Sequence, residues 1–286
     1  MENYSEEIIL PMGKRKICNH VIITKTEFPF HGITQKFLPN PTIALVFHYG
    51  DELSYSLDNV NFVTLPKQYV VTPFMADSSL FFKFGKTLKS AIFVMKPSAY
   101  FYLRKKYSSC KPDIFSSQES CLGQDLKTKL IDAFYPVIDV KISINNVMDV
   151  FSSIKIENSH TLSIIDKSFK LIDLSHGTLT VMQLADNLNI SVRTLERYFV
   201  LNTGISPAKY SRIVRFFVLL HSLINVTNGS KTELIEKLNL TDYSHLHKEF
   251  KKFTSETPNK YLKNLNTSYY FEKQFLKPTM SGIYKD

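Results

Sequence analysis

The chain is short of every common signature of catalysis, metal binding and membrane insertion. No apolar run approaches the roughly 18–20 residues that a bilayer-spanning helix needs. The opening MENYSEEIIL is acidic and polar, unlike the basic and apolar segments of a secretory leader. A cytoplasmic protein with no membrane partner is therefore expected. Cysteine is scarce: Cys18, Cys110 and Cys121 form an odd set with no CxxC spacing. That argues against a disulfide framework or zinc site and for buried reduced thiols. There is no phosphate-binding loop, no GxSxG elbow and no paired-carboxylate signature. His20, His31 and His48 lack the close His and Glu clustering of a cupin-type metal site. His245 and His247 are two apart, and residues two apart on a helix do not face each other. The expectation is a non-enzyme with no catalytic residue, metal or cofactor.

What is present is an ordinary globular composition, 44% hydrophobic and 21% charged, over 286 residues. That length suffices for two domains with proper cores. The net charge of +9 favours acidic partners, nucleic acid first, although charge runs also arise on solvated faces.

Residues 1 to about 105 read as short strands. His20–Phe28, Thr42–Tyr49, Phe62–Phe74, Leu80–Phe84 and Lys89–Lys96 are rich in β-branched and aromatic residues, with turn formers between them. Their close spacing predicts an antiparallel sheet or roll rather than βαβ units. Pro97 ends the last strand, and a helix is expected from Tyr100. Residues 106–122 are polar and turn-like. From Asp125 to Ile156 the apolar period becomes helical, with a break at Pro136. Glu157–His160 reads as a polar hinge. Phe30, Phe47, Tyr49, Phe82 and Phe93 can line a pocket, but core packing is the better reading of them.

From Thr161 onward the pattern is helical, and one stretch occurs twice. Leu184, Leu188, Asn189 and Ile190 recur 50 residues later as Leu234, Leu238, Asn239 and Leu240. Leu195, Phe199, Pro207 and Tyr210 recur 51 residues later as Leu246, Phe250, Pro258 and Tyr261. Thr180 with Gln183, and Ser230 with Glu233, form capping boxes upstream of the two copies. Asn189 and Asn239 suit the left-handed turn that ends a short helix, and Ser191 and Asp242 suit the N-caps that follow. Between the copies, Ser206 and Pro207 open one long joining helix with a wide apolar stripe, Tyr210 to Ile224. The tail, residues 266–286, has no clear period.

Each copy is thus helix, tight turn, helix. Leu184 and Leu188 must meet Leu195 and Phe199, so the outer face of the second helix stands free. In copy one that face presents Arg193, Thr194, Glu196 and Arg197. In copy two it presents Tyr243, Ser244, His245, His247 and Lys248, followed by Lys251 and Lys252. A helix fits the major groove of duplex DNA, where Arg bonds guanine and Lys bonds guanine or phosphate. Helix N-termini at Thr180, Ser206 and Ser230 can donate backbone N–H groups to phosphates.

On Leu184–Ala185, Leu188–Ser191, Leu195–Phe199, Gly204–Pro207 with Tyr210, and Ser244–Leu246, Glu249–Lys251 and Pro258 with Tyr261, the stretch Leu162–Lys263 resembles the DNA-binding domain of the AraC/XylS family of bacterial transcription regulators. The resemblance implies two helix-turn-helix units on one linker helix, with recognition helices in successive major grooves. It makes Arg193, Glu196 and Arg197 base-facing, with Tyr243, Ser244, His245, His247 and Lys248 as their counterparts. Copy two departs from the family pattern. Asn239–Leu240 stands where Gly-Phe is usual, and Phe253–Pro258 (FTSETP) where Phe-Gly-x-Ser-Pro is usual. Asn40–Gly50, Val71–Phe74 and Phe93–Leu103 resemble the regulatory domain of one subset of the family, which implies sensing or dimerisation.

The expectation is an α+β chain. A mainly antiparallel β domain with helices, 1–156, has a regulatory, sensing or dimerising role. An all-α double helix-turn-helix domain, 161–265, binds DNA. Double-stranded DNA is the expected partner, with a small-molecule effector, RNA polymerase and a second copy of the chain as further ones. The rival reading is a small-molecule-binding or enzymatic N-terminal domain with the helices as an adaptor.

Overall fold

A computed structural model describes residues 4–11, 16–28, 31–36, 38, 40–71, 80–107, 122–157, 159–225 and 243–263. Among these residues nine strands occupy the N-terminal part: β1 (Tyr4–Ile9), β2 (Cys18–Glu27), β3 (Ile33–Lys36), β4 (Ala44–His48), β5 (Leu53–Ser56), β6 (Val63–Thr64), β7 (Gln68–Val71), β8 (Phe81–Phe84) and β9 (Thr87–Met95). They form a five-stranded sheet, in the order β1-β2-β9-β4-β7, and a four-stranded sheet, β3-β8-β5-β6. Every pairing is antiparallel.

The central strands of the larger sheet are buried on both faces, which explains why β4 and β9 read as continuous apolar runs rather than alternating ones. Ile22, Ala44, Val46, Ile92 and Val94 face the smaller sheet, against Phe28, Leu53, Phe82 and Phe84. Val21, Ile23, Leu45, Phe47, Phe93 and Met95 belong to a second core that continues into the helices.

Those helices are α1 (Pro97–Tyr107), α2 (Gln124–Phe134), α3 (Val140–Ser153), α4 (His160–Leu174), α5 (Val181–Asn187), α6 (Val192–Thr203) and α7 (Pro207–Asn225), then α8 (Tyr243–Thr254) and α9 (Pro258–Lys263). In α2 and α3 the buried residues are Leu126, Leu130 and Phe134, then Ile144, Val147, Met148 and Phe151. Phe134 stacks on Phe47 of β4 at 4.3 Å and lays this helix pair on the sheet. Asp139 caps α3 by accepting from the amides of Lys141 and Ile142. Tyr135, at the elbow between α2 and α3, donates its hydroxyl to the carbonyls of His48 (2.6 Å) and Lys67 (3.0 Å).

Some boundaries differ from the expectation. The run Phe62–Phe74 is not one strand: β6 lies in the small sheet and β7 in the large one, and the chain crosses between them at Leu65–Lys67. Pro66 sits at the crossing, where its missing N–H costs no ladder bond. Residues 72–74 lie outside the described part. Pro97 does not merely end β9 but opens α1, three residues earlier than expected, in the position proline favours. Strands β1, β3 and β5 carry mixed polar sequences and were not expected. Cys18 is buried and free, whereas Cys110 and Cys121 lie outside the described residues.

Candidate nucleic-acid interface

The first helix-turn-helix unit is built as its sequence requires. Thr180 accepts from the Gln183 amide, and the Gln183 side chain accepts from the Thr180 amide, so the capping box is complete. Asn189 takes a left-handed φ of 53° at the turn. Ser191 caps α6 by accepting from the Thr194 amide at 3.1 Å. Leu184, Ala185, Leu195 and Phe199 are fully buried, with Leu188 and Ile190 packed around them. Phe169 of α4 is the third partner: it stacks on Phe199 at 5.1 Å and meets Tyr210 of α7 at 4.4 Å. Truncating a buried phenylalanine of this kind to alanine costs about 3–5 kcal/mol, so Phe169 fixes the pose of α6 as firmly as the unit's own residues do.

The repeat persists in three dimensions. Phe199 meets Tyr210 at 5.9 Å, and Phe250 meets Tyr261 at 5.4 Å. Thr203 Oγ1 donates to the Ile205 carbonyl at 2.9 Å and accepts from the Ile205 amide at 3.2 Å. Thr254 Oγ1 does the same with Glu256, at 2.9 and 3.2 Å. Gly204 between them has φ 78°, and its counterpart Ser255 has φ 65°. Tyr210 and Tyr261 donate their amides to the carbonyls of Ser206 and Thr257. The departure FTSETP therefore leaves the turn geometry intact, with serine held where glycine is usual. The 51-residue spacing also joins Thr203 to Thr254, a pairing that reading for apolar positions alone passes over.

Of the residues expected to face DNA, Arg193, Glu196 and Arg197 are exposed on α6. The Arg197 guanidinium lies over the Tyr198 ring, 5.3 Å from its centroid, which holds the side chain along the helix. Thr194 is half-buried and its hydroxyl lies 2.9 Å from that of Ser191, so it serves the cap as well as the outer face. Val200 and Leu201 extend the exposed face with apolar surface, 46% and 70% exposed. On α8, Ser244, Lys248, Lys251 and Lys252 are exposed and His247 is half-buried. Tyr243 and His245 lie on the same helix, but their side chains are outside the described part, as are residues 226–242 with the capping box Ser230–Glu233, Asn239 and Asp242, and the tail. Lys252 is held by Glu249 at 2.7 Å, and Arg212 of α7 approaches the same carboxylate at 3.6 Å. Burial pushes the Glu249 pKa up, but the Lys252 hydrogen bond and the charges of Arg212, Lys252 and Arg215 outweigh it, so the group stays below its usual range.

The capping box engages the amides of Thr180 and Gln183 at the start of α5. At the start of α7 the Ser206 hydroxyl accepts from the Lys209 amide at 3.2 Å.

The joining helix is also tied to the β-rich part. Tyr210 donates its hydroxyl to the Pro41 carbonyl at 3.2 Å and to Asp173 of α4 at 3.1 Å. Ser98 of α1 donates its amide to Asp166 of α4 at 2.8 Å, and its hydroxyl to the other carboxylate oxygen. Burial raises the Asp166 pKa above the usual carboxylate range, against the lowering effect of the Ser98 bonds and of Lys96.

Residues 184–264 match a family described as a helix-turn-helix domain. The C-terminal part of the chain therefore holds a helix-turn-helix domain. No curated protein matches the chain significantly. Among solved structures, ToxT from Vibrio cholerae is similar at 8% identity and a TM-score of 0.46, over 88% of this chain and 96% of that one. ToxT bound to an unsaturated fatty acid is similar at 10% identity and a TM-score of 0.46, over 92% and 96%. Among the described residues no helix is long and apolar enough to cross a membrane.

Proposed function

We propose that the chain is a sequence-specific, non-enzymatic transcriptional regulator whose helices α6 and α8 read two successive major grooves, about 34 Å apart along one face of the duplex. The observation that carries this reading is the duplicated support: the same threonine turn and the same aromatic pair set each helix on the one that follows it, α6 on α7 and α8 on α9. Arg193, Glu196 and Arg197 read bases from α6. Ser244, His247 and Lys248 do so from α8, together with Tyr243 and His245. Thr194, Lys251 and Lys252 complete the contact set. Lysines and arginines neutralise phosphates, so affinity falls with salt. The first unit carries more of the specificity, because both arginines stand on it. Residues 1–156 form the regulatory part and 161–265 the DNA-binding part of a cytoplasmic protein. A small-molecule effector, a second copy and RNA polymerase are the further partners of such a regulator.

The test is selection of bound fragments from a genomic library by the full chain, followed by gel shifts at two salt concentrations. A retarded, salt-sensitive complex on selected fragments is expected. Arg193→Ala or Arg197→Ala should cost about 1–3 kcal/mol on the selected site and much less on random DNA. Equal losses on both would make these residues phosphate contacts only, and absence of any complex would end the DNA-reading proposal.

A further inference from the structure

On strands β2, β9 and β4 the helix-facing side of the large sheet begins apolar. Val21, Phe93 and Leu45 lie across one rung, and Ile23, Ala91 and Phe47 across the rung two residues along. On the next, Lys25 of β2 is paired directly with Lys89 of β9, and the Tyr49 amide donates to the Lys89 carbonyl beside them. Like charges directly opposite on adjacent strands destabilise a sheet, because their Cβ atoms are only about 4.5–5.5 Å apart. The ends of α2 and α3, with the elbow between them, form one wall of an open cleft of about 1030 Å³ over the basic rung.

The cleft has two kinds of wall. Ile23, Ile131, Pro136, Val137, Ile138 and Val140 make it apolar on one side. Lys25, Lys67 and Lys89 make it basic on the other, and Asp132 is the single carboxylate in the lining. Lys67 lies over the Tyr135 ring at 5.8 Å, and the Tyr135 hydroxyl pins the elbow to the end of β4. Lys25 shares its charge with Glu27 at 3.2 Å, outside the lining. Among the described residues no carboxylate forms an ion pair with Lys67 or Lys89. With Lys25 paired to Glu27, the ammonium groups of Lys67 and Lys89 keep the cleft positive against Asp132.

We propose that this cleft binds a small organic dianion, a phosphate monoester or a dicarboxylate, with the anion on Lys25, Lys89 and Lys67 and an apolar body against the α2–α3 elbow. The size suits a metabolite-sized ligand. The ammonium groups of Lys67 and Lys89 set the preference for two negative charges over one. The site lies within the β-rich part and away from α6 and α8, so it stands apart from the DNA reading, and its test contains no DNA.

The experiment is isothermal titration of the full chain at low ionic strength with phenyl phosphate and phenylsuccinate, and with benzoate as a monoanion of similar bulk. Saturable binding of one dianion per chain, at least about tenfold tighter than benzoate, is expected. Whichever dianion binds tighter names the anion chemistry. Lys89→Met and Lys25→Met should each weaken binding about tenfold or more, as loss of a charge-assisted bond does, and Asp132→Asn should tighten it severalfold. Lys67→Met, at an exposed position before β7, serves as the test if the in-strand variants do not fold. Arg197→Ala should leave binding unchanged. The proposal is overturned if no dianion binds saturably, if benzoate binds equally well, or if binding is lost in Arg197→Ala and kept in Lys89→Met, which would place the anion on the DNA face.

Discussion

Ser255 and Gly204 occupy the same place in the two units, and exchanging their residue types probes how the second unit is held. A side chain in the left-handed region costs about 1–2 kcal/mol because Cβ crowds the following carbonyl. Ser255, at φ 65°, bears that cost, whereas Gly204, at φ 78°, does not. Replacing serine by glycine also frees the unfolded chain, which takes back about 0.4–1 kcal/mol. The Ser255 hydroxyl accepts from Lys36 Nζ at 3.3 Å, but the contact is exposed and contributes a few tenths at most. Ser255→Gly should therefore stabilise the helical part by about 0.5–1 kcal/mol, and Gly204→Ser should destabilise it by a similar amount. Urea unfolding followed by helical circular dichroism reads both, as opposite shifts of the midpoint at constant slope. The Thr254 bonds to Glu256 do not involve the Ser255 side chain, so the turn itself should persist. A lower midpoint for Ser255→Gly, or an unchanged one for Gly204→Ser, would show that the two turns are not equivalent and would refute the argument from repetition.

Two further outcomes are expected. Gly177 has φ 72°, and a Cβ there would lie 2.2 Å from the Ser211 carbonyl oxygen on α7, so Gly177→Ala should cost about 2–5 kcal/mol from the left-handed backbone and the overlap together, read as a lower urea midpoint; an alanine variant as stable as the parent would contradict the close packing of α4 on α7. Asp166→Asn tests the buried contact with Ser98: because burial raises the carboxyl pKa, the folded state holds its proton more tightly than the unfolded chain, so this group favours folding at acid pH and that contribution is lost as pH rises through the raised value. The asparagine variant should gain stability relative to the parent as pH rises above the ordinary carboxylate range, measured by thermal melts, and parallel curves would remove the burial argument.

The first helix-turn-helix unit was legible because its determinants are local. A capping box, an asparagine in the left-handed region and apolar residues three and four apart each act within a few residues. The α+β division was legible for the same reason, as a change of period from strand to helix. What could not be read depends on partners remote in sequence. Strands β1, β3 and β5 are polar in part and are held by pairing with β2 and β8, which no local pattern states. Phe169 reads as an ordinary helix-face residue until α6 and α7 close on it. Lys25 and Lys89 are 64 positions apart, and only the register of β2 on β9 makes them neighbours. Of the aromatic residues that sequence could assign either to a pocket or to the core, Phe47, Phe82 and Phe93 are core, Tyr49 lines the cleft and Phe30 lies outside the described residues.

Helices α6 and α8 are each held by aromatic contacts. Helix α6 is gripped from both sides, by Phe169 of α4 and Tyr210 of α7. Among the described residues α8 packs on α7 and α9, through Phe216 against Phe250 and Phe253 and through Tyr261. Phe169 touches α6 and α7 from α4, so these three helices open as one cooperative unit, and the amide hydrogens of α6 exchange with solvent together with those of α4 and α7 rather than singly.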